Sequence, residues 1–220
     1  MLINSPGTHS LVTHSKYTDY ANLYELDATE LLKHMSEIKW EAAKGNTGKV
    51  ARYSAWYTKA GCNCPYKYGN IISHAKGFKA NDMEPWMMKI AEKIKDIYGF
   101  DTPPGSLNLN RYDYGWQALG FHSDNEQIFK GVQGKANIIS LSIGSKRTFR
   151  LRECFEYNES KYISVDLEEG DLVAMMDKTQ IYYQHEVCRS NSEDAEQRGP
   201  RYNMTFRFIM NHEKGCPTCN

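Results

Sequence analysis

Two periodicities divide the chain. Leu31, Leu32, Met35 and Ile38 recur at three- and four-residue intervals, the spacing of one face of a helix. Asp27 and Glu30 stand ahead of them as a capping box, an acceptor at the N-cap and a carboxylate three residues on. Together they predict a helix over residues 28–39. A second helix is expected after Asn81 or Asp82 as N-cap, with Pro85 in its first turn. Trp86, Ile90, Ile94 and Ile97 form its apolar face and Lys and Glu fill the other, the pattern of a helix packed on a sheet. The run Val50 to Thr58, between the two helices, is rich in β-formers. Beyond Pro103-Pro104-Gly105 the period shortens to two, with strand-like runs at 106–113, 136–143, 146–152, 162–167, 171–176, 180–188 and 202–210. Ile139, Leu141 and Ile143 alternate with Ile138, Ser140, Ser142 and Gly144, so one face of that strand is strongly apolar. Helices first and strands second give an α+β class, a sandwich or jelly roll with helices buttressing one sheet.

The remaining segments are polar. Residues 1–26 show little periodicity and read as a docked or partly mobile N-terminal arm. AGCNCPYKYGN, residues 60–70, is too polar and too punctuated by Gly and Pro to be core. SNSEDAEQRGP, residues 190–200, reads as a mobile connection between the last two strands. A length of 220 residues needs only one domain, placed at 27–212 with a Cys-rich tail at 213–220. Lys and Arg total 27 and Asp and Glu total 27, so no global basic field draws the chain to nucleic acid; such a contact must use a local patch. The N-terminus lacks a targeting pattern and no apolar run approaches membrane-spanning length, so the expectation is a soluble, intracellular protein with no membrane partner. Six cysteines are too sparse for a secreted disulfide scaffold, which favours reduced thiols or a metal site.

Chemistry concentrates between Leu107 and Glu126. His122 and Asp124 lie two apart on an extended segment, so an imidazole and a carboxylate point to one side. His185, within QIYYQHEV, completes two histidines and one carboxylate, the set that leaves three positions open on non-haem Fe(II) for an organic acid and dioxygen. Taken alone, His185 reads as an ordinary strand histidine. In RYNMTFR, residues 201–207, strand alternation puts Arg201, Asn203, Thr205 and Arg207 on one side and Tyr202, Met204 and Phe206 on the other. Two inward guanidinium groups need anionic partners, and a dicarboxylate would supply them through forked pairs. A solvated polar face is the plainer alternative. At the C-terminus, Cys216-Pro217-Thr218-Cys219 follows His212 and resembles half of a zinc site, to which Cys62 and Cys64 would add the other half if the tail folds back. Free or redox-active thiols are the competing reading, and Cys154 and Cys188 read as small buried hydrophobes.

Taken in order, Asn110-Arg111-Tyr112, His122-Ser123-Asp124, His185 and Arg201-Tyr202-Asn203-Met204-Thr205-Phe206-Arg207 resemble the N-x-Y, H-x-D, distal His and R-x-N-x-T-x-R elements of the AlkB-like Fe(II)/2-oxoglutarate-dependent dioxygenases. The resemblance covers roughly residues 50–210 and implies a double-stranded β-helix (jelly-roll) core. It implies His122, Asp124 and His185 as iron ligands. Arg201 is expected to pair with the cosubstrate carboxylate near the metal, Arg207 with the distal C5 carboxylate, and Asn110, Tyr112 and Asn203 to be hydrogen-bonding neighbours. The implied cofactors are Fe(II), 2-oxoglutarate and dioxygen; structural zinc at Cys62, Cys64, Cys216 and Cys219 is a separate expectation that rests on the cysteine spacing. In the implied chemistry 2-oxoglutarate is decarboxylated to succinate and a substrate C–H bond is oxidised; a methyl on a base nitrogen would leave as formaldehyde. Glu126 matches an acid that contacts the flipped base in DNA-repair members. Arg52, Trp56, Tyr57, Tyr66 and Tyr68 are similar to those members' substrate lid, here at about 50–80. Cys62-Asn63-Cys64 departs from the lid pattern and counts against repair. The expectation is a monomeric enzyme acting on alkylated DNA or RNA, single-stranded or with the base flipped. Hydroxylation of a small molecule, lipid or protein side chain is the alternative, and an inactive nucleic-acid-binding module a further one.

Overall fold

The computed structural model describes residues 2–3, 10–16, 28–44, 48–67, 77–154, 162–190 and 199–218. In chain order its elements are β1 (Leu2–Ile3), β2 (Ser10–Lys16), α1 (Ala28–Glu37), β3 (Glu41–Lys44), β4 (Val50–Thr58), β5 (Asn81–Asp82), α2 (Pro85–Tyr98), β6 (Ser106–Tyr112), β7 (Leu119–His122), β8 (Ile138–Gly144), β9 (Arg147–Glu153), β10 (Ile163–Leu167), β11 (Asp171–Asp177), α3 (Thr179–Tyr182), β12 (Tyr183–Val187) and β13 (Arg201–Arg207). The larger sheet runs β1-β2-β11-β8-β13-β6-β4-β3, with β5 paired to β4; the smaller runs β10-β9-β12-β7. Apart from the β4–β5 pair, the pairings are antiparallel, and non-consecutive neighbours such as β8, β13 and β6 are those of a jelly roll.

Alternation along the large sheet decides what each face buries. Leu107 and Leu109 on β6, Ile139, Leu141 and Ile143 on β8, and Met204 and Phe206 on β13 turn outward onto Leu31 and Met35 of α1 and Trp86, Met87, Ile90 and Ile94 of α2. Each such fully buried apolar side chain contributes about 1.5–3 kcal/mol. The opposite face of the same strands is polar yet equally buried: Asn108, Asn110, Ser140, Ser142, Arg201, Asn203, Thr205 and Arg207 point between the sheets. Ile138, Phe149, Leu151, Val173, Met175 and Tyr183 form a smaller apolar cluster that includes residues of both sheets. The interior is therefore sealed by apolar packing while one part of it stays polar.

Several details differ from the sequence expectation. α2 begins at Pro85, but Glu84 occupies its N-cap without a side-chain cap bond. Asn81 and Asp82 are drawn into β5 instead, where Asn81 Nδ2 donates to the Trp56 carbonyl and Asp82 Oδ1 accepts from the Gly61 N–H. The expected strand 180–188 starts only at Tyr183, because Thr179–Tyr182 forms a helical turn whose Thr179 Oγ1 donates to the Met176 carbonyl. Within the expected N-terminal arm, β2 docks as a strand, paired with β11 from Ser10↔Asp177 to Lys16↔Asp171. Asp27, the expected cap of α1, and residues 191–198 of the expected mobile connection lie outside the described residues.

Gly144 closes β8 with φ +78°, directly across from Arg201 of β13. A Cβ there would lie 2.5 Å from the Pro200 carbonyl oxygen, so only glycine lets the chain enter β13 in this register.

Candidate active site

His122 ends β7 and His185 lies in β12, and the two are cross-strand partners. Their ring centroids are 4.2 Å apart. Asp124 follows β7 by two residues, in a loop fixed from two sides: its N–H donates to Gln180 Oε1 at 2.8 Å, and Ser123 Oγ donates to the Tyr183 carbonyl at 2.8 Å. One donor atom from each of His122, Asp124 and His185 falls within 4.8 Å of the others. His122 Nδ1 lies 2.8 Å from the Gly120 carbonyl, which can only accept, so Nδ1–H points there and Nε2, 3.4 Å from Asp124 Oδ1, is the atom turned toward a metal. His185 is driven down to about 3 by burial and then by the His122 charge, against the pull of Asp124. It is neutral at pH 7, the form that ligates. Burial alone would raise the Asp124 carboxyl, but Arg207, His122 and His185 hold it well below its ordinary range.

Arg207, at the end of β13, is the ion-pair partner of Asp124, and both side chains are buried. Burial opposes the Arg207 charge, but Asp124 outweighs it and keeps the guanidinium protonated. Arg201, at the start of the same strand, occupies a different environment. Its Nη2 donates to Ser142 Oγ at 3.0 Å, and its guanidinium sits over the Tyr112 ring at 5.6 Å. Burial, with Arg147 nearby, lowers it to about 10 despite Tyr112. The placement exchanges the two arginines relative to the sequence expectation: Arg207 stands at the metal-ligand end, and Arg201 stands away from it beside Tyr112. Periodicity turns both inward but does not say which end of β13 faces Asp124. Nε and Nη1 of both arginines are buried without a protein acceptor. Two cations of this kind inside a barrel fit an anionic guest. The residues present thus suit both a facial metal ion and a dicarboxylate.

Between the arginines the cavity wall is knit by side chains. Asn110 Oδ1 accepts from Arg52 Nε at 2.8 Å and Ser54 Oγ at 2.9 Å; Asn203 Nδ2 donates to Ser140 Oγ at 2.6 Å and its Oδ1 accepts from Thr205 Oγ1 at 2.6 Å. Asn110, Tyr112, Arg201, Asn203 and Arg207 all line one cavity with His122, Asp124 and His185, and Arg52 and Tyr66 belong to its wall. Asn108, Ser140, Thr205 and the apolar Leu119, Phe149, Met175 and Val187 complete it. The inward phase shared with Asn110 and Asn203 points to Asn108 and Thr205, whereas the others and Gln180 carry no such signal of a site role in the sequence.

The expected lid divides. Tyr66 Oη donates to Glu126 Oε1 at 2.9 Å, so Tyr66 joins the cavity wall to Glu126. Glu126 Oε2 has no protein partner, and burial, then the Asp124 charge, raise this carboxyl above its ordinary value against Arg207. Trp56 and Tyr57 depart from the expectation of a substrate surface. Trp56, 1 % exposed, stacks under Tyr66 at 5.1 Å and donates through Nε1 to the Cys64 carbonyl. Tyr57 is turned by strand alternation into the helix-facing core. Arg52, buried and bonded to Asn110, belongs to the cavity wall and not to a lid. Tyr68 lies outside the described residues. Of the cysteines, Cys62, Cys64 and Cys216 meet around His212, with their donor atoms within 4.8 Å of one another; Cys219 lies outside the described residues.

A family model described as the 2OG-Fe(II) oxygenase superfamily matches residues 21–207. The human alpha-ketoglutarate-dependent dioxygenase alkB homolog 3 is 28% identical over 192 residues, covering 82% of this chain and 61% of the relative's length. The mouse alkB homolog 3 is 27% identical over 220 residues, covering 91% of this chain and 68% of its own length. A solved structure, that of OsALKBH1, superposes with a TM-score of 0.60 at 20% identity, over 89% of this chain and 97% of that one. This last likeness shows the fold alone.

Proposed function

Because the chain belongs to the 2OG-Fe(II) oxygenase superfamily, we propose that it is an Fe(II)- and 2-oxoglutarate-dependent dioxygenase that oxidatively removes alkyl groups from nucleobases in DNA or RNA. The observation that carries this reading is one cavity holding three metal donors beside two buried arginines with unpartnered N–H groups. When bound, iron with 2-oxoglutarate and dioxygen supplies decarboxylation of the oxoacid to succinate and oxidation of a substrate C–H bond; a hydroxylated N-methyl group then leaves as formaldehyde.

The chain's own residues do the rest. His122, Asp124 and His185 are the residues that would hold the metal. Arg207 neutralises Asp124 and offers its remaining N–H groups to the oxoacid end of the cosubstrate. Arg201, with Tyr112 beside it, takes the distal carboxylate by a charge-assisted pair. This reverses the roles that the motif alone suggests. Asn110 and Asn203 are locked by their own bonds and present a fixed polar wall.

Glu126 is the substrate-facing group in this reading. Tyr66 fixes one carboxylate oxygen and leaves the other for the edge of a base bearing an exocyclic amine or a positive charge. The metal donors lie inside the barrel, so a base must be single-stranded or flipped to bring its alkyl group there. All groups for metal and cosubstrate come from one copy, consistent with a monomer. Among the described residues no helix is long and apolar enough to cross a membrane. Reduced thiols and a nucleic-acid substrate favour an intracellular site.

The test is succinate formation with Fe(II), 2-oxoglutarate and methylated or unmethylated single- and double-stranded DNA and RNA oligonucleotides. Stimulation by the methylated strand with formaldehyde release is expected. Turnover that no oligonucleotide stimulates would move the substrate to another class, and no turnover at all would overturn the assignment.

A further inference from the structure

A second donor cluster lies outside the cavity. After β4, Thr58 Oγ1 donates to the Cys62 carbonyl at 2.6 Å and Trp56 Nε1 to the Cys64 carbonyl at 2.8 Å, which pins the Cys-x-Cys loop to the barrel. The chain returns there after β13. Met210 and Asn211 N–H groups both donate to the Ile128 carbonyl, and a turn with the Cys216 N–H on the Glu213 carbonyl carries His212 and Cys216 over that loop.

The spacing of the four side chains is that of a metal cage. Cys62, Cys64 and Cys216 sulfurs lie 3.7, 3.6 and 3.3 Å from His212 Nδ1, and the Cys62 and Cys216 sulfurs lie 3.7 Å apart. A tetrahedron with Zn–S near 2.3 Å and Zn–N near 2.0–2.1 Å has edges of about 3.8 Å between sulfurs and about 3.6 Å from sulfur to nitrogen. The sulfurs are too far apart to be bonded, which would need about 2.05 Å. The surroundings suit thiolates: the Glu213 N–H donates to Cys64 Sγ at 3.3 Å, and Thr218 Oγ1 lies 3.3 Å from Cys216 Sγ. All three cysteines are buried.

We propose that Cys62, Cys64, His212 and Cys216 bind a structural Zn(II) ion that fastens the segment after β13 to the loop leading into Tyr66. His212 supplies the fourth ligand; Cys219, which the sequence pattern offers for that place, lies outside the described residues. Binding releases the three thiol protons to solvent, leaving three thiolates and a neutral imidazole on the metal. The ion lies outside the cavity and forms no part of the oxidation chemistry. Its role is to hold the base of the arm whose Tyr66 contacts Glu126.

The experiment measures metal content of the purified full chain and its variants by mass spectrometry. One zinc per chain is expected in the wild type, retained in His122→Ala and Cys154→Ser and lost in Cys64→Ser and Cys216→Ser. Retention in His122→Ala separates this site from the iron ligands, so the result stands whichever substrate the enzyme takes. So that the test does not depend on the folding of the cysteine variants, zinc is also replaced by Co(II) in the wild type, where a thiolate-to-cobalt charge-transfer band of a tetrahedral site is expected. Hydrogen exchange should then rise together in residues 59–67 and 208–216 when the metal is stripped. A folded, zinc-free wild type with no cobalt band, a Cys62–Cys216 disulfide, an iron–sulfur chromophore, or unchanged zinc in both folded cysteine variants would each overturn the proposal. So would exchange that rises in only one of the two segments.

Discussion

His122 and His185 stand opposite one another across β7 and β12, with ring centroids 4.2 Å apart. In the proposed ligand set, metal affinity depends on strand pairing as much as on the ligands. Loss of groups that merely orient ligands costs about 10–100-fold in affinity, so His185→Ala should weaken Fe(II) binding by at least about 100-fold. Anaerobic Fe(II) titration checks it; near-normal affinity would remove His185 from the ligand set.

The two arginines should separate kinetically. Arg201→Ala removes a charge-assisted pair worth about 1.5–3 kcal/mol, which is about a 10–100-fold rise in the KM for 2-oxoglutarate, with Fe(II) affinity retained. Arg207→Ala should disturb both, because it also strips Asp124 of its counter-ion. Steady-state kinetics beside iron titration distinguishes the pair, and identical behaviour of the two variants would contradict their separate placement.

How this division became visible shows what the sequence carries. The alternation of RYNMTFR and the register of H-x-D put the right residues inward, since a period of two survives any arrangement of strands. Which end of β13 faces Asp124 depends on non-local pairing and leaves no local trace. Trp56 misled for a related reason: an aromatic on a strand looks the same whether it faces a ligand or packs under a neighbour, and here it packs under Tyr66. His212 stands beside the Cys-x-x-Cys run in the sequence, but its place among the donors depends on the turn that brings it over Cys62 and Cys64. The pairing of β2 with β11 was hidden because SLVTHSK is mostly polar.

Acid should weaken the metal-free protein in a particular way. The Asp124 carboxyl is depressed in the folded state, so its contribution is complete above its ordinary value of 3.8 and is lost as pH falls through the folded value. Asp124→Asn strands a buried Arg207 and should cost about 3–5 kcal/mol at pH 7. Below 3.8 the gap between variant and wild type should narrow by about 1.4 kcal/mol per pH unit. Denaturant unfolding at several pH values measures it; a gap independent of pH would refute the pairing.

Glu126→Gln keeps an oxygen for Tyr66 and removes the charge offered to the base. The KM for a methylated oligonucleotide should rise about tenfold while that for 2-oxoglutarate is unchanged. Equal KM values for the oligonucleotide in variant and wild type would take Glu126 out of substrate recognition.

Gly144→Ala places a Cβ against the Pro200 carbonyl at a positive φ. The strain should appear both as a lower melting temperature and as a raised KM for 2-oxoglutarate, because Arg201 is the cross-strand partner of Gly144. Thermal unfolding and kinetics together check it; a variant that melts lower with an unaltered KM would mean that Arg201 keeps its place.

Arg201 and Arg207 are the first and last residues of a single seven-residue strand. At about 3.3 Å per residue their backbones are about 20 Å apart, and inward positions along the strand recur only every 6.6 Å or so. A diacid one carbon longer or shorter changes the span by far less than that step. Sliding the strand therefore offers no intermediate setting, and only side-chain rotamers remain to absorb the difference. In the binding mode proposed for Arg201 and Arg207, selectivity for cosubstrate length is set by the pitch of the sheet.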